Sequence, residues 1–155
     1  MKNSGFALYD SPFGKLKIEY KGDYMSALKI AADNCDREEK TALTEKACAQ
    51  LDEYFTGKRK TFDLPYKLTG TDFQLKVWGA LINIPYGETR SYKEIAAAIG
   101  SPNASRAIGG ANNKNPIAIV IPCHRVIGSN GKLIGYAGGI DMKTALLELE
   151  RKSSE

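Results

Sequence analysis

Ser91-Tyr92-Lys93-Glu94-Ile95-Ala96-Ala97-Ala98-Ile99-Gly100-Ser101-Pro102 is the stretch from which the rest of the chain can be read. Ser91 with Glu94 three residues later is a capping box, in which each side chain satisfies a free backbone N–H near the other. Ile95, Ala96, Ala98 and Ile99 supply the body of a short helix. Gly100 suits the position just past a helix end, where the backbone turns left-handed. Ser101-Pro102 reads as an immediate restart, with Ser as N-cap and Pro at the first helical position. Two short helices around a tight corner is helix-turn-helix syntax.

The second helix of the pair is small on nearly every side. Ala104, Ala107, Gly109, Gly110 and Ala111 line it, and Arg106 is its charged residue. Two glycines cost a helix about 1 kcal/mol each relative to alanine, so something must approach this backbone closely. Either another helix of the protein packs on it, or a nucleic-acid groove does.

Downstream, Ile117-Ala118-Ile119-Val120-Ile121 lies between Pro116 and Pro122 and reads as a short buried strand. It leads into Pro122-Cys123-His124-Arg125-Val126, which holds the sole histidine of the sequence. Gly128-Ser129-Asn130-Gly131 is a hairpin signal, with Lys132 to Gly135 returning as a strand. Tyr136-Ala137-Gly138-Gly139 is a loop that exposes backbone. A helix-turn-helix followed by a β-hairpin makes a winged helix. A last helix from about Met142 to Arg151 buries Met142, Ala145, Leu146 and Leu149. Glu150 stands at the edge of that stripe, where its carboxylate can point inward.

Upstream, Thr71 and Gln74 form another capping box, opening a helix that buries Phe73, Val77 and Leu81 with Trp78 beside them and stops before Pro85. The first thirty residues read as an antiparallel meander. Phe6 to Tyr9 is its first strand. Leu16, Ile18 and Tyr20 alternate with Lys15, Lys17 and Glu19 in the second, and Tyr24 to Ile30 is the third. Leu43, Ala47, Leu51 and Tyr54 share a helical face that Gly57 ends. Lys58 to Leu68 reads as an extended linker around Pro65. The fold class is therefore α/β in two domains: residues 1–65 an α/β domain with antiparallel strands, residues 66–155 a winged helix-turn-helix domain.

Composition bounds the partners. The chain has 155 residues, 43% hydrophobic and 26% charged, which suits a globular fold with a real core. No apolar run reaches membrane-spanning length, and no signal-peptide core follows Met1, so a cytoplasmic protein is expected. Three cysteines leave at least one thiol unpaired, as reducing conditions allow. Between Tyr86 and Lys143 stand seven basic and three acidic residues, and that excess equals the net charge of +4 of the whole chain. Such a concentration suits an anionic partner such as nucleic acid, or else a solvated basic face.

Asn115-Pro116, Ile-Pro-Cys-His-Arg-Val at residues 121–126, Gly-Tyr-Ala-Gly-Gly at 135–139 and Ser-Arg-Ala-Ile-Gly-Gly-Ala at 105–111 together resemble the O6-alkylguanine-DNA alkyltransferases, the methylated-DNA–protein-cysteine methyltransferases. The resemblance covers about Thr69 to Arg151 closely. Over the first sixty residues it is general, and there it implies a ribonuclease-H-like α/β domain. It implies DNA repair by irreversible, single-turnover transfer of the alkyl group from O6-alkylguanine, and from O4-alkylthymine, to Cys123. His124 would take the thiol proton through a water, Glu150 would hold the imidazole, and Asn115 would brace the turn around Cys123. For the substrate, Tyr92 would help rotate the nucleotide out and donate to the guanine ring. The carbonyls of Cys123 and Val126 would accept from its amine, the Ala137 amide would donate to O6, and Tyr136 would wall the pocket. For DNA, Arg106 would fill the space left by the flipped base and Lys93, Ser101 and Ser129 would touch the backbone. Ala107 and Ala111 would let the helix enter the minor groove.

Double-stranded DNA is the partner this implies, with a monomeric protein and no obligate protein partner. No cofactor is expected. The structural zinc of some relatives is not expected either, because the first domain offers Cys35 and Cys48 and no histidine. The alternative is a winged-helix protein that only binds alkylated DNA and signals, with Cys123 structural. A cysteine hydrolase would rest on the Cys-His pair alone, without an oxyanion-hole signature.

Overall fold

Alternation in the first thirty residues produces the three-stranded antiparallel sheet it predicts. The computed structural model describes residues 4–32, 37–128, 130–131, 136 and 139–154, in two units, Met1–Leu68 and Thr69–Glu155. In the first unit β1 (Ser4–Ser11), β2 (Gly14–Lys21) and β3 (Tyr24–Ile30) pair in sequence order. Alternate residues Ala7, Tyr9, Leu16, Ile18 and Tyr20 turn inward, as the period of a strand requires. Gly5 faces Tyr20 across the ladder, and a Cβ there would lie 2.6 Å from the tyrosine oxygen. Any side chain at residue 5 would therefore displace that ring.

Helix α1 (Ala42–Phe55) starts at Thr41, whose hydroxyl accepts from Thr44 N at 3.2 Å while Thr44 Oγ1 accepts from Thr41 N at 2.8 Å. Ala47, Leu51 and Tyr54 are its buried face, and Gly57 ends it at φ 78°. The segment expected to be a linker is tied down beyond Pro65. Met25 N donates to the Pro65 carbonyl at 2.8 Å and Lys67 N to the Met25 carbonyl at 3.3 Å, so residues 65–67 lie along β3. Cys35 falls outside the described residues.

The second unit is helical. Helix α2 (Asp72–Ile82) is capped by Thr71 and Gln74 as expected, with Val77, Trp78 and Leu81 buried. Phe73, expected inside, is only half-buried. Trp78 Nε1 donates to the Ala111 carbonyl at 2.9 Å, which satisfies the polar handle of a buried indole. A two-residue strand, β4 (Arg90–Ser91), precedes α3 (Tyr92–Ala98), capped by Ser91 and Glu94. Gly100 follows at φ 77°.

The second helix of the pair starts later than its sequence suggests. Helix α4 runs Ser105–Asn113 with Ala104 as N-cap and no side-chain cap. Ser101 to Ala104 instead forms a turn closed by Ala104 N donating to the Ser101 carbonyl at 3.0 Å. A Ser-Pro pair fits the start of a turn as well as a helix N-terminus, and here the corner takes it.

A larger correction concerns residues 117–121. They form no strand. Ile121 N bonds the Ile117 carbonyl, Val120 N the Ala118 carbonyl and Cys123 N the Ile121 carbonyl, so the run is a sequence of tight turns. Ile117, Ile119 and Ile121 are buried, and Ile119 sits at φ 71°, a strained position for a β-branched residue. A single 3₁₀ turn at Cys123–Arg125 leads into β5 (Val126–Ile127), which pairs in parallel with β4. The returning strand expected at 132–135 lies outside the described residues. Helix α5 (Ile140–Ser153) buries Met142, Lys143, Leu146 and Glu150, while Ala145 and Leu149 are half-buried.

Candidate active site

Cys123 is held from both sides. Asn115 Nδ2 donates to the Ile121 carbonyl at 2.8 Å, and its Oδ1 accepts from Ile117 N at 3.0 Å. Asn115 thus closes the tight turns that present Cys123. Burial pushes the thiol pKa up, against the Asn115 hydrogen bond and the Lys143 charge, which both favour thiolate. At rest Cys123 is a protonated, 4% exposed thiol that needs a base to become a nucleophile.

A buried histidine follows it in the chain. His124 is fully buried, and burial holds its pKa below 6.5, against the pull of Glu150. The imidazole is therefore neutral. Its Nε2 lies 2.6 Å from Glu150 Oε2. Burial alone would raise the Glu150 pKa, but the hydrogen bonds from His124 and Arg125 and the Arg125 charge hold it at about 2. An ionised carboxylate only accepts, so the His124 proton sits on Nε2 and Nδ1 carries the lone pair. Among the described residues Nδ1 has no hydrogen-bond partner, although it is buried.

Arg125 completes this arrangement, and sequence reasoning missed it. Its Nε meets Glu150 Oε1 at 2.7 Å, its NH2 meets Oε2 at 3.0 Å, and its NH1 donates to the Ile84 carbonyl at 2.7 Å. The fork fixes the carboxylate that fixes the imidazole. Lys143 was also missed as a buried residue. Its ammonium donates to the Val126 carbonyl and lies 6.0 Å from the Tyr92 ring centroid. Burial lowers its pKa. Alternating helical periodicity places a lysine outside, so the sequence carried no signal for it.

Both units match known sequence families. The ribonuclease-like domain of 6-O-methylguanine DNA methyltransferase matches residues 6–68, and the DNA binding domain of the same family matches residues 72–152. The chain belongs to the 6-O-methylguanine DNA methyltransferase family. The methylated-DNA–protein-cysteine methyltransferase of Methanosarcina barkeri is 50% identical over 154 residues, covering 96% of this chain and 98% of that protein. The constitutive protein of that name from Bacillus subtilis is 48% identical, covering 93% of each. The crystal structure of Mycobacterium tuberculosis OGT in complex with DNA has a TM-score of 0.88 at 49% identity, covering 96% of this chain and 93% of that one. The two-domain α/β and winged-helix fold of the methyltransferase family is thus the fold of this chain.

The remaining residues expected in a methyltransferase site divide by location. Tyr92 is half-buried on α3, and Val126 and Tyr136 are buried. Burial, then the neighbouring Cys123, raises the pKa of Tyr92, so it is a neutral phenol. The Cys123 carbonyl already accepts from Val126 N and from Asn112 Nδ2 at 3.2 Å, which occupies both lone pairs expected to serve a base amine. Arg106, Ala107 and Lys93 are exposed, and Ser101 is half-buried at the corner. Ala111, expected on the outer face, is buried with its carbonyl bonded to Trp78, and it packs the helix rather than facing outward. Ser129 and Ala137 lie outside the described residues.

The small helix has room around it. A Cβ on Gly110 would meet nothing within 4 Å, and one on Gly109 would meet only Tyr92 Cε1 at 3.9 Å. Close packing inside the protein therefore does not explain Gly110. The basic excess is also thinner at the surface than the sequence suggests, since Arg125 and Lys143 are buried.

Proposed function

We propose that this chain repairs DNA by moving the alkyl group of an O6-alkylguanine, or of an O4-alkylthymine, onto Cys123 once and irreversibly. The single observation that carries the reading is the Arg125–Glu150–His124 chain, which leaves a buried Nδ1 without a partner among the described residues on the residue that follows the buried Cys123. Nδ1 takes the thiol proton through a bound water. The sulfur lone pair attacks the alkyl carbon, the carbon–O6 bond breaks, and its electron pair returns to the purine. The thiol proton ends on the released guanine by way of the imidazolium. The product thioether has no leaving group that water can displace, so each molecule acts once.

A damaged base in duplex must be rotated out to reach a buried thiol. The open, small face of α4 at Ala107 and Gly110 supports entry into the minor groove, with Arg106 filling the vacated stack. Lys93, Ser101 and Ser129 contact the phosphate backbone. Tyr92 donates to the base ring, the Val126 carbonyl and the Ala137 amide receive it, and Tyr136 walls the pocket. We assign the chemistry to a C-terminal domain of residues 66–155, separate from an N-terminal domain of residues 1–65. The protein works in the cytoplasm as a monomer, without cofactor or metal.

Mass spectrometry after incubation with duplex containing O6-methylguanine tests this. A peptide with Cys123 should gain one methyl group, and transfer should stop at one equivalent. Methylation of another residue, or repeated turnover, would overturn the proposal. A protein that only binds alkylated DNA would show no transferred methyl group at all.

A further inference from the structure

The segment between α2 and β4 takes part in no step of the mechanism above, yet it meets both halves of the Arg125–Glu150 pair. Arg125 NH1 donates to the Ile84 carbonyl at 2.7 Å, and the Arg125 guanidinium carbon lies over the Tyr86 ring, 5.6 Å from its centroid. A guanidinium so placed gains attraction from the aromatic face on top of its hydrogen bonds. One residue further on, Gly87 N donates to Glu150 Oε1 at 3.4 Å. The same segment therefore offers a carbonyl to the cation and an N–H to the anion.

A tight turn makes this possible. Glu88 N bonds the Pro85 carbonyl at 3.1 Å, which closes residues 85–88 with Gly87 in the third position. Gly87 stands at φ 81°, as the third residue of a type II turn requires. An L side chain is strained there, and it also lacks space. A Cβ on Gly87 would lie 2.2 Å from Ser154 Oγ, 3.1 Å from Ser154 Cβ and 3.6 Å from the Glu150 carbonyl oxygen. Ser154 Oγ itself donates to that carbonyl at 2.7 Å. The missing side chain lets the turn seat against the end of α5, beside the residue that holds His124.

We propose that Gly87 is a positioning residue for alkyl transfer, its N–H and left-handed turn clamping the Glu150 carboxylate and, through it, the His124 tautomer that leaves Nδ1 bare. This rests on the alkyl-transfer function proposed above. The Arg125 fork fixes the carboxylate relative to the guanidinium, but the pair could still shift as a unit. The turn prevents that, because Ile84 holds the guanidinium and Gly87 the carboxylate. Gly87 acts through Glu150 and moves no proton, so the bond and proton balance of the reaction is unchanged.

Gly87→Ala tests the assignment, and His124 serves as the reporter because the chain holds a single histidine. In the parent, NMR of the imidazole nitrogens should show one protonated and one bare. In Gly87→Ala the two resonances should move towards each other as the tautomers mix. Single-turnover methylation of Cys123 by duplex O6-methylguanine should slow by about tenfold or more, since a small misplacement of a catalytic group is costly. A parent-like rate would overturn the proposal. So would a slow variant whose imidazole spectrum matches that of the parent, because its loss does not pass through His124. If thermal melting shows Gly87→Ala unfolded, glycolic acid in place of Gly87 is read by the same criteria; the resulting ester removes the N–H and adds no Cβ. An unmutated protein with the expected tautomer that transfers no methyl group would instead sink the function on which the proposal rests.

Discussion

Replacing Glu150 by glutamine separates what this carboxylate does for the fold from what it does for the chemistry. Glu150 is 1% exposed and accepts from His124 Nε2 and from two nitrogens of Arg125, itself 7% exposed. Its pKa of about 2 stands against an ordinary 4.5. At about 1.4 kcal/mol per pH unit, the ionised form contributes roughly 3 kcal/mol of stability at neutral pH. Folding depresses the pKa, so this contribution is complete above 4.5 and is lost as pH falls towards 2. Glutamine keeps the shape and loses the charge, leaving a buried guanidinium without its counterion. Breaking a buried pair from one side costs about 3–5 kcal/mol. Urea unfolding of Glu150→Gln should show a loss of that size at neutral pH, shrinking as the solution is acidified. Adding Arg125→Met removes the orphaned cation, and at least half the stability should return. Single-turnover methylation of Cys123 should remain at least about a hundredfold slower in both variants. A double variant that regained transfer together with stability would refute the role of Glu150 in holding His124. A Glu150→Gln protein as stable as the parent would refute the energetics.

Arg106→Ala should slow methyl transfer from duplex far more than reaction with free O6-benzylguanine, since only the duplex requires the base to be flipped; equal losses in the two rate measurements would exclude that role. Ala107→Leu should weaken duplex binding in a fluorescence titration without shifting the melting temperature, because residue 107 is exposed. Gly110→Ala should raise stability by up to about 1 kcal/mol in urea unfolding, since the added methyl meets nothing within 4 Å. Transfer from free O6-benzylguanine should stay constant as pH falls through 6.5 and decline only below it, because burial keeps His124 neutral past the ordinary imidazole value; a decline centred at or above 6.5 would contradict the buried neutral base. For stability the sign is the same: a His124 pKa depressed on folding means that acidification below 6.5 favours the unfolded state.

Much of this site could be read without coordinates. Capping boxes at Thr71 and Ser91 are local chemistry, and both helices start where those boxes put them. Glu150 was legible because a helix has a fixed period, and a residue at the edge of an apolar stripe has one side to turn to. The failures share a cause. The run Ile117–Ile121 has no alternation, and an apolar stretch between prolines is buried whether it is a strand or a series of turns; the hydrogen bonds of Asn115 settle which. Ser101-Pro102 fits a turn and a helix start equally, and the choice falls to how α3 and α4 pack.

The sequence by itself determined the Pro122-Cys123-His124 motif, the inward edge position of Glu150 and the two-domain plan, because motifs and periodicity are properties of the chain alone. It could not determine that Arg125 and Lys143 are buried, since a cation is placed inside only where an acceptor from a distant segment meets it. Arg125 finds Glu150 and the Ile84 carbonyl, and Lys143 finds the Val126 carbonyl. Nor could it determine that Asn112 faces the nucleophile rather than solvent. Those facts depend on which helix faces come together, and that is decided only when the chain has folded.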